Sequence, residues 1–249
     1  MLSASERNPT PVMDPSRTKV SALNHNHTHH HTVPSASAQQ QLANSSMPPQ
    51  FIQHIWVVTG PAGSGKSTVG RYLEQELGVP FLEGDDFHPP ANKAKMSTGT
   101  PLTDADRWDW LISLRSAATT LLSTPVPIPT PTNPTATAAP RGVVVACSAL
   151  KKKYRDVMRV AAYGSPNVHI HFVYLKLEAE TLYARVSARQ AHYMKQSMVE
   201  SQLRDLEEPR GDEWDALTVP VKVEMGMGDV QREVMLAVRG VVEEYEKAS

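Results

Sequence analysis

From Phe51 onward the chain switches repeatedly between two patterns: short runs of consecutive apolar residues, and longer stretches in which apolar residues recur every three or four positions. The first pattern suits strands covered on both faces, the second amphipathic helices. Ile55 to Val58 predicts a first strand, followed after a glycine-rich turn by a helix with Val69, Tyr72, Leu73 and Leu77 on one face. Val79 to Leu82 predicts a second short strand, and Trp110, Leu111, Leu114, Ala118, Leu121 and Leu122 the stripe of a longer helix. Val143 to Cys147 predicts a third strand, Tyr154, Val157 and Met158 the next helix, and Ile170 to Leu175 a fourth strand. Val219 to Val223 is a weaker fifth strand before a last helix carrying Val234, Val238, Val241, Val242 and Tyr245. This alternation predicts a three-layer α/β domain with a mainly parallel, five-stranded sheet.

Two segments break the pattern. Of 20 prolines, six fall in residues 1–50 and six in residues 123–140, and both stretches lack glycine and aromatic residues. Such sequence buries too little apolar surface to offset the entropy of ordering it. Residues 1–50 therefore read as a low-complexity leader, and 51–249 as the folded domain, interrupted at 123–140 by a surface insertion ahead of the third strand. His25, His27, His29, His30 and His31 in the leader read as a solvated tract with only adventitious metal affinity. A mitochondrial presequence is the weaker alternative, because Arg7, Arg17 and Lys19 are sparse and Glu6 and Asp14 interrupt them. A cytoplasmic protein is expected.

Charge narrows the function. The 25 Lys+Arg against 26 Asp+Glu leave a net charge of −1, without the basic surplus that nucleic acid or a polybasic membrane contact requires. No apolar run is long enough to span a bilayer. Cys147, the one cysteine of the sequence, excludes an intramolecular disulfide and reads as a buried strand-end residue.

The chemistry starts at Gly60-Pro61-Ala62-Gly63-Ser64-Gly65-Lys66-Ser67-Thr68, which fits G-x-x-x-x-G-K-[ST] between a strand and a helix. Its glycines let backbone N–H groups turn toward phosphate oxygens, and the helix N-terminus adds positive potential. Lys66 would reach the β- and γ-phosphates of a nucleotide, and the Ser67 hydroxyl would ligate Mg²⁺. By itself the loop does not separate a kinase from a GTPase or an ATP-driven machine. Asp85, just after the second strand, should face the loop across the sheet's C-terminal edge, where a carboxylate can hold Mg²⁺ and accept a proton from an attacking hydroxyl.

Three longer motifs surround these residues. The first runs Asp85-x-x-His88-Pro89-x-x-Asn92-x-x-Lys95-Met96 and on through Asp104-x-Asp106-Arg107-x-x-Trp110-Leu111. The second is Cys147-Ser148-Ala149-Leu150-Lys151-x-x-Tyr154-Arg155-Asp156, and the third Arg185-x-x-x-Arg189-x-x-His192-Tyr193-Met194 followed by Ser201-Gln202. In order and spacing the chain resembles the gluconokinase family, small P-loop kinases similar to shikimate kinase. The resemblance implies a P-loop kinase fold with a small helical lid, and ATP-dependent phosphorylation of D-gluconate at O6, giving 6-phosphogluconate for the pentose phosphate pathway. It implies a homodimer, and a substrate site drawn from Asp85, His88, Lys95, Arg107, Lys151, Tyr154, Arg155 and His192. Lys66, Asp85 and Arg189 would be catalytic, with Arg185 and Arg189 on a lid that closes over the nucleotide. Where the family usually has proline before Trp110, this chain has Asp109. Two competing readings are a kinase for another small hydroxy acid and a P-loop binding module without turnover.

Overall fold

A computed structural model describes residues 51–127, 137–138, 140–188 and 196–248. The strands are β1 (Gln53–Thr59), β2 (Phe81–Glu83), β5 (Gly142–Ala146), β6 (Val168–Lys176) and β7 (Ala216–Pro220), with a separate ribbon of β3 (Val126–Pro127) and β4 (Thr137–Ala138). The five-stranded sheet has the order β2-β5-β1-β6-β7, and every neighbouring pair in it is parallel. Parallel strands need crossovers, and helices supply them: α1 (Lys66–Leu77), α2 (Pro90–Ser97), α3 (Asp104–Ser123), α4 (Lys152–Arg159), α5 (Ala179–Ala188), α6 (Gln196–Asp205) and α7 (Met227–Ala248).

The unbroken apolar run of β1 follows from two covered faces. Ile55 and Val57 pack with Leu111 and Leu114 of α3 and Tyr154 and Met158 of α4. Trp56 and Val58 point the other way, to Val69 and Leu73 of α1 and Val230, Val234 and Val238 of α7. A third, small cluster of Leu182, Val186 and Val199 joins α5 to α6.

This topology positions the site. Because β5 lies between β2 and β1, the segments leaving the C-terminal ends of all three strands sit side by side. They are the glycine-rich loop after β1, a 3₁₀ turn Gly84–Phe87 after β2, and Cys147 to Leu150 after β5. Gly84 is obligatory for that approach, since a Cβ there would stand 2.3 Å from the Ala146 carbonyl oxygen.

Local signals explain several boundaries. The Thr103 side chain caps α3, and Asp106 returns the bond to the Thr103 N–H, completing a capping box. Helix α3 therefore starts well before Asp109, and the missing proline leaves its start intact. The last strand lies at Ala216–Pro220 rather than at 219–223. Pairing with β6 sets its register from Phe172↔Ala216 to Lys176↔Pro220, and Val223 falls beyond it, 74% exposed. The insertion's ends pair antiparallel as β3 and β4, and the Gln53 amide donates to Leu122 O and Pro140 O, bracketing the point of departure and return. Residues 1–50 and 128–136 lie outside the described residues. Among those described, no helix is long and apolar enough to cross a membrane.

Candidate active site

The loop after β1 has the backbone its glycines permit. Gly60, Gly63 and Gly65 take φ of 144°, 84° and 100°, values that side chains disfavour. Gly63 is also close-packed, since a Cβ there would come within 2.8 Å of Val186 on α5. The Lys66 ammonium folds back over the loop to the Pro61 carbonyl at 2.9 Å, and the Ser64 hydroxyl is buried with no hydrogen-bond partner among the described residues. From α6, the Gln202 side-chain oxygen accepts a 2.6 Å hydrogen bond from the Ala62 N–H.

Opposite the loop, Asp85 extends from the turn after β2 with its side chain 82% exposed. Beneath it His88 is buried, stacked on Trp110 at 4.1 Å between ring centroids, and Trp110 donates its indole N–H to Gly84 O at 2.7 Å. Burial pushes the His88 imidazole down to about 4; Asp85, with an oxygen 4.0 Å from Nε2, pulls the other way, and Lys93 and Arg107 add to the depression. At neutral pH the ring is therefore uncharged, and its Nδ1 has no partner among the described residues.

Arg107 projects from the first turn of α3. It donates to the Tyr154 hydroxyl at 2.9 Å and lies 3.5 Å from Asp205 and 3.9 Å from Asp104. Lys151 reaches Asp104 and Asp205, each at 3.1 Å. Hydrogen bonds from Lys153, Tyr154 and Lys151 hold the Asp104 carboxyl well below the usual carboxylate range. Burial works against the Lys151 charge, but bonds to Asp205 and Asp104 outweigh it and raise its pKa.

The expected residues divide accordingly. Ala62, Gly63, Gly65, Lys66, Ser67 and Thr68 line one cavity of about 380 Å³ together with Asp85, His88 and Arg107. Gly60, Pro61 and Ser64 shape the loop, and Lys151 and Tyr154 stand behind Arg107. Lys95 does not line the cavity; it pairs with Asp106 at 2.5 Å and ties α2 to α3. Arg155 does not either. Its guanidinium is 1% exposed, grips both oxygens of Glu213 at 2.7 and 2.6 Å, and is consumed within the core. Arg185 is half-buried on α5, outside the cavity wall. Arg189 and His192 lie outside the described residues. Cys147 is buried as expected, its thiol pushed up to about 12 by desolvation, which leaves it inert.

Residues with no assigned role also enter the cavity, notably Lys93, Ser148 and Gln202. Lys93 could have been found from helical geometry: two positions before Lys95 on α2, it occupies a different side of that helix. Gln202 carried a signal only as part of the Ser201-Gln202 motif.

The polar lining has the composition of a Mg²⁺–phosphate site. Ser67 and Asp85 bring hard oxygen donors to the same cavity, and no group of three or more His, Cys, Asp or Glu among the described residues forms an all-protein metal cage. Magnesium suits so sparse a set, because it retains waters and takes phosphate oxygens as ligands.

Comparison with known proteins agrees with this geometry. A family model described as an AAA domain matches residues 55–209. A probable gluconokinase of Schizosaccharomyces pombe is 41% identical over 195 residues, covering 78% of this chain and 93% of that protein. The thermoresistant gluconokinase of Escherichia coli is 39% identical over 168 residues, covering 68% of this chain and 85% of its own. The crystal structure of a gluconokinase from Sinorhizobium meliloti superimposes with a TM-score of 0.64 at 35% identity, covering 80% of this chain and 99% of that one. With a nucleotide loop, a carboxylate and a cation facing one another across the sheet edge, and this extent of similarity, the chain belongs to the gluconokinase family of P-loop kinases.

Proposed function

We propose that the protein transfers the γ-phosphoryl group of ATP to O6 of D-gluconate, with Mg²⁺, giving 6-phosphogluconate and ADP. The observation that carries this reading is the single cavity in which Lys66 and Ser67 face Asp85 and Arg107. ATP phosphates would lie on the N–H groups of the loop, with Lys66 following charge onto the β–γ bridge and Ser67 and Asp85 holding the metal. Mg²⁺, when bound, would neutralise charge on the phosphate oxygens. Gluconate would enter from the side of α2 and α3, its carboxylate drawn to Arg107, supported by Lys151 and Tyr154, and to Lys93. The neutral His88 ring can exchange hydrogen bonds with a hydroxyl. As the bond from O6 to the γ-phosphorus forms, the bond from that phosphorus to the bridging oxygen breaks. ADP leaves with the electron pair, and the hydroxyl proton passes to Asp85.

Arg185, Arg189 and His192 belong to the lid segment in this reading, and close over the nucleotide when both substrates are present. The same reading makes the protein a cytoplasmic homodimer and leaves residues 1–50 and 123–140 outside its catalytic machinery.

The test is ADP release with gluconate, shikimate, glycerate and nucleoside monophosphates as acceptors, for wild type and Asp85→Asn. Gluconate alone should stimulate release. Asp85→Asn should lower kcat on the order of 10²-fold or more while nucleotide still binds, because a positioned base and metal organiser contributes about that much. Stimulation by another acceptor in place of gluconate would overturn the substrate assignment.

A further inference from the structure

We infer that Gln202 touches the phosphoryl group in transit, offering it side-chain N–H donors from the point where the nucleotide loop meets the acceptor cavity. This rests on the reading of the cavity given above and adds a residue to it.

The orientation of the Gln202 amide is dictated by its partner. A backbone N–H can only donate, so the atom 2.6 Å from Ala62 N must be the side-chain oxygen. The NH₂ is then the branch left for the cavity, whose wall Gln202 shares with Lys66, Asp85 and Arg107. Ala62 precedes Lys66 by four residues, so an amide anchored there stands beside the phosphate cradle.

Helix α6 holds Gln202 in this place from two directions. Val199, one turn earlier, is fully buried against Leu182 and Val186 of α5. Asp205, one turn later, pairs with Lys151 at 3.1 Å and Arg107 at 3.5 Å. A single helix face thus contacts the nucleotide loop through Gln202 and the acceptor-side cations through Asp205. The donor is also chemically apt. Charge in the transition state spreads over the equatorial oxygens of the transferred group, where preorganised N–H donors stabilise it. A neutral amide does so without attracting Asp85 out of position, as an additional cation would.

The alternative is a brace that only steadies the loop, and Gln202→Glu separates the two. Glutamate keeps the side-chain length and an oxygen for the Ala62 N–H, but replaces the NH₂ with a carboxylate oxygen. Full-length enzyme should lose on the order of 10²-fold in kcat, a loss at least about tenfold larger than any loss of nucleotide or gluconate affinity that the added carboxylate causes. The uncharged, similarly sized Gln202→Met should lose kcat as well, and serves as the readout if the glutamate variant does not fold. Wild-type kcat in Gln202→Glu, or a loss matched by an equal loss of nucleotide affinity in whichever variant folds, would overturn the assignment. If the wild-type enzyme itself showed no gluconate-dependent ADP release, the function proposed above would fail instead.

Discussion

Two ion-pair clusters meet helix α4, and they differ in whether cationic charge is left over. The cluster beside the cavity sets Arg107, Lys151 and Lys153 against Asp104 and Asp205, three cations to two carboxylates. The second sets Arg155 and Arg159 against Glu213, Asp215 and Asp156, two cations to three carboxylates. Arg155 and Arg159 are four residues apart and share a helix face, whereas Lys151 precedes the helix and pairs, beside Arg107, with Asp104 and Asp205. This second cluster, with no cation left over, fastens α4 to the segment entering β7. Glu213 shows the strength of that pairing: burial would raise its pKa, yet the two arginines hold it down to about 2. The cation-rich cluster retains attraction for an anion such as a sugar-acid carboxylate. Neighbours in sequence, Tyr154 and Arg155, thereby serve different ends.

Substitution should separate the clusters. The largest effect is expected from Arg155→Met, which leaves the Glu213 carboxylate buried without its closest partner. Chemical denaturation should show a loss of about 3–5 kcal/mol, the cost of breaking a buried pair from one side. An unchanged midpoint would mean that Arg159 alone satisfies Glu213. Arg107→Met should instead raise KM for gluconate by about 10- to 150-fold, the worth of one charge-assisted contact of roughly 1.5–3 kcal/mol, with a smaller change in stability. Equal weakening of ATP would move Arg107 to the nucleotide side.

A cluster on β1 and β6 sharpens the contrast, because there polar rings pack against one another rather than pairing with carboxylates. His54 Nδ1 lies 3.1 Å from His171 Nε2, His171 stacks on Trp56, and Tyr245 of α7 covers them with His169 alongside. Desolvation first, and mutual repulsion second, push His54 down to about 4 and His171 to about 3. An unfolded chain takes up these protons near pH 6.5 while the folded one does not, so stability is full above that pH and falls on acidification toward pH 4. Between pH 6.5 and 5 each ring contributes a loss of roughly 2 kcal/mol. His171→Leu should remove about one such share from the pH dependence of unfolding, measured as the difference between those two pH values. An unaltered slope would show that the ring is solvated in the native state.

The parts of the site legible in the sequence were those encoded locally. Gly60 to Thr68 sets its own backbone through glycine conformations and the start of α1, so the motif is sufficient to place the phosphate cradle. The β–α alternation likewise fixed the sheet's strands, except where a pairing partner overruled local pattern, as β6 did in drawing β7 back to Ala216–Pro220. Asp85 was legible because a strand end beside the nucleotide loop has a defined position in any parallel α/β sheet. Arg155 and Lys95 were not. The motif marks them as cations, but whether a cation meets substrate or a carboxylate depends on what the fold carries to it. Glu213 reaches Arg155 from 58 residues away, and Gln202 reaches Ala62 across 140.

Sequence alone thus determined the nucleotide loop, the layered α/β architecture and the position of the Asp85 carboxylate opposite the loop, because each follows from the backbone preferences of contiguous residues or from the parallel connection rule. Only the tertiary structure decided which basic side chains keep free charge, which amide reaches the loop, and which histidines are held neutral. Those properties arise from desolvation and pairing between distant segments, and desolvation exists only once the chain has folded.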